Sequence, residues 1–389
     1  MRTEHPAAAG RLPSLLRLFS RLGITAFGGP AAHIAMMEDE VVERRRWISR
    51  EHFLDLVGAT SLIPGPNSTE MVLHIGYERA GFKGLLGAGL AFLGPAVSLT
   101  LLLAWIYQRY GTVPQLGGVF QGVQAAVLAV ILGAVWKLGR KALSSPPPWL
   151  PALLAAAAMS AGLGPVTTLF GSTLIGGLWL LALRRGGGER AAGLLLGSLL
   201  SLPASASPAA GPGSATLGQL ALFFLKIGAV LYGSGYVLVA FIEQGLVQDL
   251  GWLTQGQLLD AIAIGQLTPG PVLSSAAFVG YLVLGIPGGL IAAAAIFLPS
   301  FIFVAILNPI VPRLRRSPWA RSFLDAVNAV AVAMMAVVLA RLAWGLGREP
   351  ALLVIALAAV VAVLRFKVAS PWIVVGGGVA GAAASFAGL

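Results

Sequence analysis

The feature that most constrains the fold is an internal repeat. Shifted along itself by 205 residues, the sequence aligns over a block of about fifty residues without a gap. The matches include both Pro-Gly-Pro turns and paired acidic and tryptophan residues, which rarely recur by chance. The matched pairs are Phe19 and Phe224, Gly23 and Gly228, Gly28 and Gly233, Ala35 and Ala240, Glu38 and Glu243, Val42 and Val247, Trp47 and Trp252, Leu54 and Leu259, Asp55 and Asp260, Leu62 and Leu267, and Pro64, Gly65 and Pro66 with Pro269, Gly270 and Pro271. We predict a first repeat over residues 1–185, a linking segment over 186–204 and a second repeat over 205–389.

Each repeat is too apolar for a water-facing protein. The chain is 57% hydrophobic and 11% charged, and its mean hydropathy is +0.85. Long apolar segments in a bilayer form helices, because every backbone polar group must be paired there. We therefore predict an all-α integral membrane protein embedded in the lipid bilayer, with about four spanning helices in each repeat. The predicted spans are 84–106, 117–136, 149–163 and 166–183 in the first repeat and 287–308, 322–340, 351–364 and 371–388 in the second, with a short linking transmembrane segment at 190–203.

The basic residues predict that the two repeats have opposite orientations. The stretch "ERRRWISRE" (43–51) is strongly basic, whereas its partner "QDLGWLTQG" (248–256) has no basic residue. Further along, "YQRYGTVPQ" (107–115) has one arginine and "PRLRRSPWAR" (312–321) has four. Because basic loops remain on the cytoplasmic side, this alternation indicates inverted-topology repeats. Arg341 and Arg348 fall on the outer side and are exceptions.

Two apolar stretches in the first repeat have basic residues at both ends. They are 14–42 and 52–78, and a segment with both ends on one side cannot span. We predict re-entrant hairpins with "FGGP" (27–30) and "PGP" (64–66) at their tips, mirrored by "YGSG" (232–235) and "PGP" (269–271). A tilted full span of 14–37 is the alternative, since that stretch is long enough.

The Pro-Gly-Pro turns predict helix ends inside the membrane. Ser49 is a good N-cap for a helix that runs to Leu62, and Thr254 with Gln257 forms a capping box at the equivalent start. Pro64 ends the first helix, Gly65 permits the reversal and Pro66 begins the next one. A surface turn between two spanning helices is the alternative. The second copy and the shortness of 52–63 favour the broken helix.

A helix that begins in the membrane presents free N–H groups and the positive end of its dipole, which can hold an anion. Hydroxyl groups and glycine tips beside such ends suit a tetrahedral oxyanion. The predicted substrate-binding residues are Gly28, Gly29, Pro64, Gly65, Pro66, Asn67, Ser68, Thr69, Gly233, Ser234, Gly235, Thr268, Pro269, Gly270, Pro271, Ser274 and Ser275, with the basic pair Arg21 and Lys226.

Ionisable residues inside apolar segments are candidates for coupling or gating. For Arg21, Glu38 and Glu243 the competing interpretation is a position at the membrane interface. For the aspartates it is a structural ion pair, and for the histidines, which lack repeat partners, a packed side chain. The predicted coupling or gating residues are His33, Glu38, Asp55, Glu70, Glu243 and Asp260.

Several classes of function are excluded by the sequence. There are no cysteines, so disulfides, thiolate metal sites and cysteine nucleophiles are absent. The net charge of +11 is distributed in short clusters between apolar segments, which indicates topology signals rather than a nucleic-acid surface. No phosphate-binding loop occurs, which argues against ATP-driven pumping. We expect no cofactor, no metal and no nucleic-acid partner.

The motifs closely resemble the chromate ion transporter family in its long, two-domain form. The stretches that carry the resemblance are "FGGPAAHIAMMEDEVVERRRWIS", "SLIPGPNSTEMVLHIGYERAGFKG", "GSGYVLVAFIEQGLV" and "WLTQGQLLDAIAIGQLTPGPVLSSAAFVGY". The resemblance covers nearly the whole chain. It implies a multi-pass protein of a bacterial or archaeal inner membrane that exports chromate by antiport or by proton- or potential-driven efflux. The implied motif positions include Gly28, Gly29, Pro30, His33, Glu38, Trp47 and residues 64–70, with Gly233, Gly235, Trp252 and residues 268–271 in the second copy.

Other functions remain open at this stage. Sulfate is also a tetrahedral dianion, so the same site is expected to accept it. An anion channel is a second alternative. A third is an intramembrane lipid-pyrophosphate phosphatase, but that chemistry needs an arginine beside the phosphate, and "PGPNSTE" and "PGPVLSS" have none. A homodimer is compatible with the sequence.

Overall fold

A computed structural model describes residues 11–61, 63–111, 113, 116–142, 149–184, 215–232, 235–307, 318–346 and 349–387. In these residues the regular structure is helical throughout, which confirms the predicted all-α class. Leu62, Gly233, Ser234, the predicted linking segment 190–203 and the basic loop at 312–317 lie outside the described residues.

The helices are named here in chain order. They are α1 (Arg11–Thr25), α2 (Pro30–Glu38), α3 (Arg50–Thr60), α4 (Asn67–Tyr110), α5 (Gly117–Ala142), α6 (Trp149–Ser160), α7 (Pro165–Arg184), α8 (Leu217–Val230), α9 (Leu238–Ile242), α10 (Gln255–Leu267), α11 (Ser275–Leu307), α12 (Pro318–Gly345), α13 (Pro350–Leu364) and α14 (Ser370–Phe386). Two π-helical turns cover Asp39–Arg44 and Glu243–Asp249, and two 3-10 turns cover Gly235–Val237 and Val272–Ser274.

Local backbone features recur at equivalent points of the two repeats. The π-helical turns after α2 and α9 lie about 205 residues apart. Both long helices have a sharp kink: Ala80 and Gly81 have φ of −143° and 60°, and Leu284 and Gly285 have φ of −138° and 66°. Only glycine readily adopts the positive φ at the second position of each kink. The sequence repeat is thus accompanied by a repeat of backbone conformation, while the opposite orientation of the two copies stays a prediction.

The predicted membrane spans correspond to helices of the structure. Among the described residues, five helical segments are long and apolar enough to cross a bilayer: Asn67–Tyr110, Gly117–Ala142, Pro165–Leu183, Val272–Ile306 and Ser322–Gly345. Four further apolar helices are shorter, namely Trp149–Ser160, Leu217–Val230, Pro350–Leu364 and Ser370–Phe386. The span predicted at 149–163 ends earlier, at Ser160, because the helix there stops before Gly162, which adopts a φ of 82°.

The described chain forms two compact units, and each unit draws on both sequence repeats. The first contains Met1–Thr112, Ala215–Gly235 and Ile264–Pro312. In it α1 packs on α4, α8 packs on α11, and α4 packs on α11. Both helix pairs approach closely at a glycine, since a Cβ on Gly23 would meet the carbonyl of Phe92 and one on Gly228 that of Ile296. The compact units therefore do not coincide with the predicted repeats, whose boundaries at 185 and 205 stay a prediction.

The second unit contains Val113–Ser214, Tyr236–Ala263 and Arg313–Leu389. Here α5 packs on α13 and α14, while α12 packs on α6 and α7. The contact of α5 with α14 involves Gly118 and Gly122 on one helix and Gly377 and Gly381 on the other. Small residues spaced four apart allow two helix backbones to touch, as is common in membrane proteins.

Candidate functional site

As predicted, one helix ends before the first Pro-Gly-Pro turn and another helix begins directly after it. Helix α3 begins after Ser49, whose hydroxyl accepts the N–H of His52, and it ends at Thr60, slightly before the predicted end. Pro66 is the N-cap of α4, with φ of −81° and ψ of 109°. Asn67, Ser68, Thr69 and Glu70 therefore form the opening turn of α4. The first N–H groups of such a turn have no partner within their own helix.

The second turn differs in detail. Helix α10 begins with the predicted capping box, because Gln257 N–H donates to Thr254 Oγ1 at 3.1 Å and Thr254 N–H donates to Gln257 Oε1 at 2.9 Å. After Pro271 the chain first makes a 3-10 turn over Val272–Ser274, and α11 begins at Ser275. Short 3-10 turns are frequent at helix starts. This helix start is thus tighter than that of α4.

Two hydrogen bonds join the tips of the broken segments within the first unit. Gly65 N–H donates to the carbonyl of Leu231 at 2.7 Å, and Gly270 N–H donates to the carbonyl of Ala26 at 2.9 Å. Gly65 and Gly270 are repeat equivalents, as are Ala26 and Leu231. Each Pro-Gly-Pro turn therefore contacts the glycine-containing tip of the other repeat. The second turn binds at Ala26, close in sequence to Gly28 and Gly29, and the first turn binds at Leu231. Gly235, the last residue of the second tip, is buried beside Leu273.

His33 holds one of these tips in place. Its ring is buried, and its Nε2 lies 3.0 Å from the carbonyl oxygen of Ala26, the same oxygen that accepts from Gly270. The edge of the ring also packs against Phe92, with ring centroids 5.8 Å apart. Burial lowers the pKa of His33 more than the bond to Ala26 raises it. A histidine in this position stabilises the fold of the tip.

The predicted hydroxyl groups divide into two sets. Thr268 and Ser275 donate to backbone carbonyls, of Gly265 and Val272 respectively. By contrast, Ser68, Thr69 and Ser274 are wholly buried, and no hydrogen-bond partner for their hydroxyl oxygens occurs among the described residues. Buried polar atoms are nearly always paired in native proteins. The unpaired hydroxyls at both helix starts are therefore candidates for contact with a polar ligand.

A carboxyl group and a further hydroxyl lie in the same region. Glu70 and Ser300 are both wholly buried, and among the described residues neither side chain has a hydrogen-bond partner. Both touch Gly65, because a Cβ at that glycine would collide with Glu70 Oε1 and Ser300 Oγ. The sequence analysis did not name Ser300. The available signal was a serine in an otherwise apolar segment. Burial and the charge of Glu70 raise the pKa of Tyr232 to about 12, so Tyr232 is also a neighbour.

The predicted basic pair does not share the environment of the tips. Arg21 is about half exposed and forms an ion pair with Glu40, and Lys226 is exposed. Glu40 is 6% exposed and also accepts from Arg44 at 3.3 Å and from Arg45 at 3.1 Å. Burial raises the pKa of Glu40, but hydrogen bonds and charge from these arginines outweigh it and leave the pKa below its usual value. The structure thus supplies a structural partner for Arg21.

The predicted acidic pairs have diverged between the repeats. Glu38 pairs with Arg50 at 3.4 Å near the surface of the first unit, while Asp55 is exposed. Their equivalents, Glu243 and Asp260, belong to the second unit and are buried.

Both buried carboxylates of the second unit have partners there. Glu243 lies 3.5 Å from Arg341 and accepts from Gln248, and Asp260 accepts from Gln124 at 3.1 Å. Burial raises the pKa of Glu243, although Arg341 opposes this. Arg341, which was an exception to the charge rule, thus neutralises a buried carboxylate.

Comparison with known proteins decides the family. The model of the chromate transporter family matches twice, at residues 13–178 and 218–382, which together cover most of the chain and repeat the internal duplication. The chain belongs to the chromate transporter family. Members of this family are transporters rather than enzymes, and the apolar helices described above agree with a multi-pass membrane protein.

Several named relatives of this chromate transporter family member are similar over most of their length. A probable chromate transport protein of Synechococcus elongatus is 34% identical over 85% of this chain and 84% of its own length. A chromate transport protein of Cupriavidus metallidurans is 32% identical over 97% and 94%, and one of Pseudomonas aeruginosa is 32% identical over 83% and 79%. No solved structure matches the chain.

Proposed function

We propose that this protein is a secondary active transporter that exports chromate across the inner membrane of a bacterial or archaeal cell. The observation that supports this most directly is the meeting of two helix starts, each with unpaired buried hydroxyls, at tips joined by reciprocal hydrogen bonds. The oxyanion is held at the N-termini of α4 and α11. The relatives named chromate transport proteins supply the identity of the cargo.

The physical basis is the charge at a helix N-terminus. The aligned peptide dipoles place roughly half a positive elementary charge there, and the first N–H groups point at the ligand. Ser68 and Thr69 on one side and Ser274 on the other supply hydroxyl donors for the oxygens of a tetrahedral dianion. Such a site binds an anion without a buried full positive charge, which agrees with the exposed positions of Arg21 and Lys226.

The repeats fit alternating access. With inverted topology, each Pro-Gly-Pro hairpin enters from its own side of the membrane, and the two tips meet near the midplane. Non-helical backbone at that depth is tolerated where protein covers it, as the burial of Gly65 and Gly270 supports. Rocking of the tips around the bound anion then exposes it first to one side and then to the other.

The membrane potential favours export of a dianion. An elementary charge that crosses 100 mV gains about 2.3 kcal/mol, so a dianion leaving a cell with a negative interior gains roughly 4.6 kcal/mol at that potential. Antiport against an ion or a proton that enters down its own gradient would add to this driving force. The coupling or gating residues proposed are His33, Glu38, Asp55, Glu70, Glu243 and Asp260.

A transport assay tests the function. We expect inside-out vesicles that contain the protein to accumulate chromate, and excess sulfate to compete, since both ions are tetrahedral dianions. Pro64→Ala, Asn67→Ala and Asp260→Asn are expected to lower the transport rate while expression is retained. Leu54→Ala is the control, because Leu54 lies exposed on α3. Uptake that is the same in all three variants as in the wild type would refute the site.

The transported ion and the transport mechanism are tested by separate measurements. A protein that moves sulfate and not chromate is an oxyanion transporter with a different physiological cargo. Flux that stays proportional to the gradient, without saturation and without counter-flow, identifies an anion channel. Saturable counter-flow with a trapped ion on the opposite side supports the antiporter.

Cysteine labelling tests the inverted topology. Ser49 and Thr254 cap their helices, so single cysteines are better placed at the exposed equivalents Glu43 and Gln248. We expect an impermeant thiol reagent to label them from opposite sides of the membrane. Labelling from one side would contradict the inverted arrangement, and the absence of native cysteines makes the background low.

A further inference from the structure

The buried carboxyl group of Glu70 has an unusual environment. Glu70 is the fourth residue of α4, its side chain is wholly buried, and neither of its oxygens has a hydrogen-bond partner among the described residues. Its Oε1 and the hydroxyl of Ser300, which is buried and unpaired in the same way, both touch Gly65. Gly65 is the residue whose N–H binds Leu231 and joins the two tips. The carboxyl group therefore lies beside the turn that joins the two tips, next to the first helix start of the proposed anion site.

The equivalent place in the second repeat carries no acid. Ser275 aligns with Glu70, and its hydroxyl already donates to the carbonyl of Val272. Gly270 aligns with Gly65. A Cβ on Gly270 would meet the methyl group of Ala96, whereas a Cβ on Gly65 would meet the hydroxyl of Ser300. The duplicated site is thus chemically asymmetric. The half around Gly65 has an ionisable group and the Ser300 hydroxyl beside that glycine, whereas the half around Gly270 has an alanine there and no ionisable group.

We propose that the Glu70 carboxyl group, which borders Gly65 together with the Ser300 hydroxyl, is a proton-binding site that must be occupied before the oxyanion binds. This inference rests on the proposed function of the same site. An ionised Glu70 at the start of α4 would itself be the anion that the helix dipole attracts, and it would repel a dianion in a medium of low dielectric. A protonated Glu70 removes that repulsion and offers an O–H donor. Proton and oxyanion therefore bind together.

Other ionisable groups on the elements packed against α4 must be considered. Tyr232 is the one whose electrostatic interaction with Glu70 is defined. Among the rest, His33 is bound to Ala26 and Arg21 to Glu40. The 3-10 turn Val272–Ser274 carries no ionisable group, and α11 carries only a tyrosine. In the described elements that pack closely on α4, the ionisable residues besides Tyr232 and Glu70 are Arg11, Arg17 and Arg21 on α1, His33 and Glu38 on α2, Arg50, Glu51, His52 and Asp55 on α3, His74, Tyr77, Glu78, Arg79, Lys83, Tyr107, Arg109 and Tyr110 on α4 itself, and Tyr281 on α11.

Sulfate binding to the purified full-length protein tests the inference. Sulfate remains a dianion between about pH 5 and 8, so a change of affinity over that range reports on the protein. For linkage to one proton, we expect the dissociation constant to rise by up to about tenfold per pH unit above the midpoint. Glu70→Gln is expected to bind sulfate with an affinity that does not vary with pH. Glu51→Gln, the same change at an exposed carboxylate, should keep the wild-type slope.

Two further measurements do not depend on how well Glu70→Gln folds. In weakly buffered solution above the midpoint, the wild type is expected to take up about one proton for each sulfate bound. Ser300→Ala should keep the slope but move the midpoint to higher pH, because the ionised carboxylate loses a neighbouring hydroxyl that can donate to it. A merely structural role of Ser300 would leave the midpoint unchanged.

The outcomes separate the two proposals. Sulfate affinity that is independent of pH in the wild type, or a slope retained in folded Glu70→Gln, overturns the proton site while the oxyanion site stands. Failure of the wild type to bind either sulfate or chromate at any pH overturns the proposed function itself. A slope that disappears only in Glu70→Gln supports the inference.

Discussion

Replacement of Gly65 by alanine tests the geometry of the first tip most directly. Gly65 has φ of 139°, a conformation that side chains with a Cβ rarely adopt. The added methyl group would also collide with two buried polar atoms, Glu70 Oε1 and Ser300 Oγ. We expect Gly65→Ala to lower both the stability of the protein and its affinity for the oxyanion.

The size of the effect follows from these two terms. Backbone strain at a glycine-specific conformation costs about 1–3 kcal/mol. Overpacking of a filled site costs another roughly 1–3 kcal/mol. Gly29→Ala isolates the first term, because Gly29 has φ of 80° and a Cβ there would meet nothing within 4 Å. The difference between the two variants is thus about 1–3 kcal/mol.

Thermal unfolding in detergent, followed by the loss of the monodisperse peak, measures this difference. At about 2–4 °C for each kcal/mol, Gly65→Ala should melt several degrees below Gly29→Ala. Equal melting temperatures would show that the collision at Gly65 is absorbed without cost and would refute the packing assigned to Glu70 and Ser300. Gly29→Ala serves as the control, because it adds the same methyl group at another glycine with positive φ, where the group meets no other atom.

Three further predictions concern stability. Glu40→Gln leaves a cluster of arginines without its carboxylate and is expected to cost about 1–3 kcal/mol. Since the folded pKa of Glu40 is lowered, the stabilisation is present above its ordinary value of 4.5 and is lost as pH falls below it, so melting curves of wild type and variant should converge in acid. Arg341→Gln leaves the buried Glu243 without its positively charged partner and should destabilise by about 3–5 kcal/mol, with partial recovery in the double variant with Glu243→Gln. Gly122→Leu should separate α5 from α14 and lower the melting temperature strongly, whereas Gly376→Leu, at an open position on α14, should not; equal effects would contradict the glycine contact.

The helix starts could be predicted because their causes are local. Ser49, Pro66 and Thr254 act on residues within one turn, and the structure has helices beginning at each of them. The kinks at Gly81 and Gly285 are also local, but the apolar pattern runs through them without a break. The predicted spans begin after these kinks, at residues 84 and 287. The sequence analysis therefore did not predict that α4 and α11 continue through the kinks.

The candidate site could be predicted only in part, because its other contacts are between residues far apart in sequence. Gly65 and Leu231 are joined by a hydrogen bond between backbone atoms, and such a bond does not depend on a recognisable pair of side chains in the sequence. Ser300 lies more than two hundred residues from Glu70, beside no recognisable motif. Arg21 and Lys226 matched in the repeat and suggested an anion contact, yet the partner that Arg21 binds, Glu40, aligns with Gly245 in the second repeat.

Divergence inside a duplicated site has a direct consequence for the proposed mechanism. Two identical halves related by inverted topology would present the oxyanion with the same groups on both sides, so binding would respond equally to the pH of both compartments. Glu70 and Ser300 break that equivalence, because Ser275 and Ala96 in the other half have no ionisable group. If Glu70 is reached from one side only, the pH of that side alone sets the occupancy of the anion site. Sulfate counter-flow in vesicles with a pH jump on one face at a time measures this: a response to one face is expected, and equal responses would place the proton path at the shared centre of both halves.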